Sequence, residues 1–209
     1  MPFIFEGYCV SQTLLGNLAL VMNSDKASHA WFVNKSRVRE DFGVDERLTL
    51  SIDCGGLFLK SCVLDESGTM HSKPNRIETP YPISPDRFVE TTVLISSSLP
   101  KSYRATVGMP GMIRNGVVVA TPHYITTRGP RTRIDPELQE AWSGFDVQSA
   151  ISAKLGIPTL VLNDAEVHGA GVITGTGYEV VITLGTGLGF AIFYGGKLAP
   201  HFELSHATV

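Results

Sequence analysis

Three apolar, strand-forming runs in this 209-residue chain break off on glycine or acidic residues. Leu48-Thr49-Leu50-Ser51-Ile52 leads into Asp53-Cys54-Gly55-Gly56. Thr159 to Leu162 leads into Asn163-Asp164. Glu179 to Leu184 leads into Gly185-Thr186-Gly187-Leu188-Gly189. Short β-rich runs bounded in this way read as strands that end in turns. Where helices alternate with such strands the chain builds an α/β domain, and ligands bind at the carboxyl ends of its strands.

The segments between supply the helices. Leu57 to Leu64 reads as a second strand, Asp65-Glu66-Ser67-Gly68 as a turn, and Thr69 to Glu78 as a third strand. Ser84-Pro85-Asp86 opens a helix running to about Ser98, because Ser caps and Pro suits the first turn. Ser102 to Gly108 is the next strand. Ile113 to Ala120 is a hairpin around Asn115-Gly116, a pair that tolerates positive φ. A long loop with Arg128, Arg131 and Arg133 follows. Phe145 to Leu155 reads as a helix closed by Gly156, and Ala165 to about Ile173 as another. Gly189 to Tyr194 is a strand, and Gly195-Gly196 a turn. This order predicts an α/β domain over 47–178 and the start of a second over 179–209. Residues 1–46 are left as an unassigned N-terminal extension.

Composition narrows the function classes. Hydrophobic residues at 43% and charged residues at 18% suit a packed core, and the net charge of −3 offers no basic surface for nucleic acid. No apolar run approaches the ~20 residues of a spanning helix, and no positive charge precedes Leu14 to Met22 as in a signal peptide. Three cysteines, Cys9, Cys54 and Cys62, fit neither a disulfide framework nor a zinc site. The expectation is a cytoplasmic protein without membrane or nucleic-acid partners.

Each turn admits a chemical and a plain reading. Gly55 and Gly56 let backbone N–H groups approach a phosphate, and Asp53 can orient a Mg²⁺-bound water. The plain alternative is an acidic hairpin turn. Gly185, Thr186 and Gly187 form a second backbone cradle or a tight turn. Asp164 at a strand end can act as a general base, or it can cap the helix. Glu203 and His206, in Glu203-Leu204-Ser205-His206, are hydrogen-bond partners for sugar hydroxyls, or part of a polar tail.

Together these segments, with Gly108-Met109-Pro110-Gly111 and Ala141-Trp142-Ser143-Gly144-Phe145-Asp146, resemble the ROK family of sugar kinases, and within it the polyphosphate glucokinase branch. The likeness runs from about Leu48 to Val209. It implies the actin-like ATPase fold, two RNase H-like lobes around a cleft, with the first nearly complete here and the second truncated. It implies phosphoryl transfer from ATP or polyphosphate, with Mg²⁺, to the 6-hydroxyl of glucose or a related sugar. Asp164 would be the base, with Asn163, Glu203 and His206 on the sugar. Asp53, Gly55, Gly56, Lys60, Gly185, Thr186 and Gly187 would hold phosphate, and Asp53 the Mg²⁺ through water. The resemblance leaves room for a homodimer of the full-length protein.

Some positions depart from the family pattern. Leu57 stands where the first loop usually has Ser or Thr, Ser205 where Gly is usual, and His123 where Asn is frequent. Leu57 and Ser205 motivate a second expectation, a sugar-binding or regulatory protein on a degenerate kinase fold. A third is an inactive fragment of a longer kinase. Trp142 is expected to pack rather than touch a ligand, Arg128, Arg131 and Arg133 to lie in a solvated loop, and Cys54 and Cys62 to be buried as small hydrophobes.

Overall fold

The computed structural model describes residues 3–5, 8–10, 18–23, 48–66, 68–184 and 188–200. The strands are β1 (Phe3–Phe5), β2 (Tyr8–Val10), β3 (Leu18–Asn23), β4 (Thr49–Cys54), β5 (Phe58–Leu64), β6 (Asn75–Glu78), β7 (Arg104–Met109), β8 (Met112–Arg114), β9 (Val117–Ala120), β10 (Thr159–Asn163), β11 (Tyr178–Leu184), β12 (Leu188–Tyr194) and β13 (Lys197–Leu198). The helices are α1 (Pro85–Ser96), α2 (Pro136–Trp142), α3 (Val147–Leu155) and α4 (Asp164–Ala170).

The main sheet has the order β10-β7-β4-β5-β6. β4, β5 and β6 form an antiparallel meander, and β7 and β10 run parallel to β4. β4 is central and every residue in it is buried, as expected for a strand covered on both faces. α1 and α3 pack on each other and reach β5 and β10. The core between them holds Leu50, Ile52, Leu59, Phe88, Val107, Trp142 and Ile151.

A second sheet has the order β13-β12-β11-β3, antiparallel throughout. Its edge strand β3 comes from the unassigned N-terminal segment, with Leu18 opposite Leu184 and Asn23 opposite Glu179. The short apolar run Leu18–Met22 is ambiguous by itself, and the strand it pairs with lies far along the chain.

Several local signals act as expected. Ser84 accepts from the backbone N–H of Arg87 and caps α1. Asn115 (φ 50°) and Gly116 (φ 77°) turn the β8–β9 hairpin in the left-handed region. Gly156 (φ 69°) ends α3. Other expectations change. Residues 136–142, expected in the long loop, form α2, because Asp135 accepts from the N–H groups of Glu137 and Leu138 ahead of Pro136. α3 starts at Val147 rather than Phe145, since Asp146 is its cap. The third strand shrinks to Asn75–Glu78, and α4 ends at Ala170.

α4 lies between the two sheets, in contact with β7 and β10 on one side and β11 and β12 on the other. Small residues make this fit. A Cβ on Gly169 would come within 2.5 Å of the Phe193 ring, and one on Gly108 within 3.3 Å of Val167. Glycine weakens a helix, but here it admits the second sheet.

Candidate functional site

The parallel strands bring the candidate residues to one edge of the main sheet. In register, Asp53 of β4 lies opposite Gly108 of β7, and Gly108 lies opposite Leu162 of β10. Asn163 and Asp164 therefore stand just beyond the row that contains Asp53. Gly108 brings α4 close, since a Cβ there would lie 3.4 Å from the Cα of Asp164.

The first glycine turn is held from its inner side. Thr79 Oγ1 and Tyr124 Oη donate to the Gly55 carbonyl at 3.0 and 3.3 Å, and Tyr81 Oη donates to the Gly56 carbonyl at 2.9 Å. Peptide units are planar and trans. Fixing these two carbonyls inward turns the N–H groups of Gly56 and Leu57 the opposite way. That is the arrangement an anion-binding turn needs. Gly56 cannot carry a side chain, because a Cβ would meet Pro130 at 2.7 Å and His123 at 3.0 Å. Leu57 points outward and is 56% exposed.

Asp53 is buried at the end of β4. Lys60, opposite it on β5, donates from Nζ to Asp53 Oδ2 at 3.2 Å. The expected phosphate cation is thus paired with the expected metal carboxylate. His168 Nε2 lies 3.8 Å from the other oxygen, Oδ1. Asp164 is half-buried, and its Oδ1 accepts from the N–H of Ala165 at 2.9 Å. Burial, and then the charges of Asp53 and Asp164, push the Cys54 thiol well above its ordinary value. The two carboxylates therefore share one electrostatic neighbourhood.

Asn163, rather than Asp164, caps α4. Its Oδ1 accepts from the N–H of Ala165 at 2.8 Å, and the Glu166 carboxylate accepts from the N–H of Asn163 at 3.0 Å, completing a capping box. Asn163 Nδ2 also donates to the Gly111 carbonyl at 2.7 Å. With Oδ1 accepting from the N–H groups of both Ala165 and Glu166, one Nδ2 hydrogen is left for a ligand.

The ROK family matches this chain over residues 49–200. The chain belongs to the ROK family. Among proteins of known sequence it is 28% identical, over 167 residues, to the polyphosphate glucokinase of Mycobacterium leprae, covering 76% of this chain and 47% of that one. It therefore spans about half the length of that relative. The crystal structure of the inorganic polyphosphate/ATP-glucomannokinase from Arthrobacter sp. strain KM superposes with a TM-score of 0.61 at 28% identity, over 78% of this chain and 65% of that one. A ROK family glucokinase from Streptomyces griseus, solved with glucose and AMPPNP, gives a TM-score of 0.53 at 26% identity, over 73% and 46%. The α/β, actin-like ATPase fold expected from the motifs is the fold of these ROK kinases.

Within the ROK fold, Asp53, Gly55, Gly56, Lys60, Asn163 and Asp164 come to one sheet edge. Gly185, Thr186, Gly187, Glu203 and His206 lie outside the described residues. Sequence reasoning missed Thr79, Tyr81 and Tyr124, which orient the glycine turn. Pro80 and Pro82 mark that stretch only as a loop. It also gave no role to His168. Trp142 is buried, donating from Nε1 to the Ile83 carbonyl at 2.9 Å. Arg128, Arg131 and Arg133 are exposed. Cys54 and Cys62 are buried.

Among the described residues no group of three or more His, Cys, Asp or Glu side chains could hold a metal ion alone. This donor set still fits Mg²⁺, which commonly takes one or two carboxylates and completes its shell with waters and substrate phosphates. Among the described residues no helix is long and apolar enough to cross a membrane.

Proposed function

We propose that this chain carries the catalytic half of a hexose kinase that transfers a phosphoryl group from polyphosphate or ATP to the 6-hydroxyl of glucose or a related sugar. The observation behind it is the placement of Asp164 and the Asp53–Gly56 turn at one sheet edge of a ROK chain. Asp164 takes the proton of the sugar 6-hydroxyl as its oxygen attacks the terminal phosphoryl in line, and the remaining phosphate chain leaves. The N–H groups of Gly56 and Leu57 face the donor's phosphates, and Lys60 turns to them from Asp53. Asp53 would hold Mg²⁺ through water, and the ion would neutralise phosphate charge. Asn163 offers its remaining donor to the sugar. By family resemblance, Glu203 and His206 complete the sugar site, and Gly185, Thr186 and Gly187 form the second phosphate loop. Residues 47–178 make the first lobe, and 179–209 open the second. A cytoplasmic protein without nucleic-acid or membrane partners, dimeric at full length, accords with this reading.

Asp164→Asn in the full-length protein tests the assignment. Turnover should fall about 10²–10⁴-fold, the usual contribution of a general base, while glucose binding by calorimetry persists. Undiminished turnover would sink it. Exposed Leu57 in the first loop favours a second reading, a sugar-binding protein without transfer. Calorimetric glucose binding by the unaltered protein with no sugar phosphate formed from either donor would support that one.

A further inference from the structure

Buried polar atoms nearly always hold a hydrogen-bond partner, and one beside this site does not. His168 is 4% exposed, and its Nε2 has no partner among the described residues. It follows Asp164 by one helical turn, so the two residues lie on the same side of α4. Asp53 Oδ1 is 3.8 Å from Nε2. That is too long for a hydrogen bond and too short to seat a water between them. A shift of under about one ångström would close it.

We propose that His168 is a positioning residue for Asp53. Its neutral ring carries the hydrogen on Nε2 and donates it to Asp53 Oδ1, while Lys60 holds Oδ2. The two holders differ in freedom. The Lys60 side chain is 24% exposed and can turn outward to a phosphate, whereas that of His168 is 5% exposed and cannot leave. His168 therefore keeps the carboxylate oriented when Lys60 is drawn away. The proposal rests on reading Asp53 as the carboxylate on the phosphoryl-donor side.

Two measurements test it. In ¹⁵N-labelled chain, NMR should find His168 as the Nε2–H tautomer, with that hydrogen protected from solvent exchange and the protection lost in Asp53→Ala. The Nδ1–H tautomer, or protection unchanged in Asp53→Ala, would overturn the contact. In the full-length protein, His168→Phe should raise the half-saturating Mg²⁺ concentration about tenfold, as removal of an outer-shell partner does, with the KM for sugar unchanged. His168→Gln, which restores a donor, should recover most of that loss. Equal losses in Phe and Gln variants would reduce His168 to packing and overturn the positioning role. Failure of the kinase reading shows separately, as retained turnover in Asp164→Asn, and the tautomer measurement still decides the contact.

Discussion

The side-chain amide of Asn163 donates to the backbone carbonyl of Gly111 at 2.7 Å, across 52 residues of chain. The same side chain caps α4 through Oδ1. One residue thus ties the start of α4 to the loop between β7 and β8, and fixes where Asp164 emerges. Asn163→Ala should lose the cap, about 1 kcal/mol, and strand a buried carbonyl, about 1–3 kcal/mol. Urea unfolding should show a combined loss of about 2–4 kcal/mol. A loss below about 1 kcal/mol would mean that the Gly111 contact carries no weight.

What the sequence made legible follows how far apart the interacting residues lie. Ser84-Pro85, Asn115-Gly116 and Gly156 act within one turn of themselves, so α1, the β8–β9 hairpin and the end of α3 could be placed. The cap at Asp135-Pro136 is equally local, but the surrounding arginines and prolines made that stretch look like loop. Longer-range relations were hidden. Lys60 meets Asp53 only because of the β4–β5 register, and β3 finds β11 across most of the chain. The acidic and glycine residues of the site could be named because their chemistry is distinctive. The hydroxyls that orient them, on Thr79, Tyr81 and Tyr124, look ordinary until the fold brings them to the turn.

Gly169 offers a test of the packing between the sheets. Alanine there would gain up to about 1 kcal/mol of helix propensity. Its methyl would come within 2.5 Å of the Phe193 ring, which is fully buried. Overpacking of this kind costs about 1–3 kcal/mol and should prevail. Gly169→Ala should lower the thermal midpoint, and adding Phe193→Leu should restore part of it. A rise in the midpoint for the single variant would contradict the packing.

Glu179 pins the connection between α4 and β11. It is fully buried, and its carboxylate accepts from Thr174 N at 2.7 Å, Thr174 Oγ1 at 3.0 Å and Gly175 N at 2.8 Å. Hydrogen bonds to a charged acceptor contribute about 1.5–3 kcal/mol each. Glu179→Gln swaps one acceptor oxygen for an NH₂ that faces backbone donors, so a loss of about 2–4 kcal/mol is expected in denaturant unfolding. Hydrogen exchange at Thr174 and Gly175 should quicken together. Unchanged exchange there would show that the turn holds without the carboxylate.

The buried acids of the main core set an alkaline limit. Cys54 and Tyr124 have ordinary values of 9.0 and 10.0, and both are raised well above them, by burial first and then by neighbouring charges. The folded chain keeps both protonated at pH values where the unfolded chain ionises. Their contribution is therefore complete below about pH 9 and is lost as pH rises from the unfolded values toward the folded ones. Urea midpoints measured from pH 7 to about 10.5 should hold steady and then fall above about 9. Cys54→Ala and Tyr124→Phe should each flatten the falling limb, because each removes one group that ionises preferentially in the unfolded chain. A limb of equal slope in both variants would assign the alkaline loss to other groups.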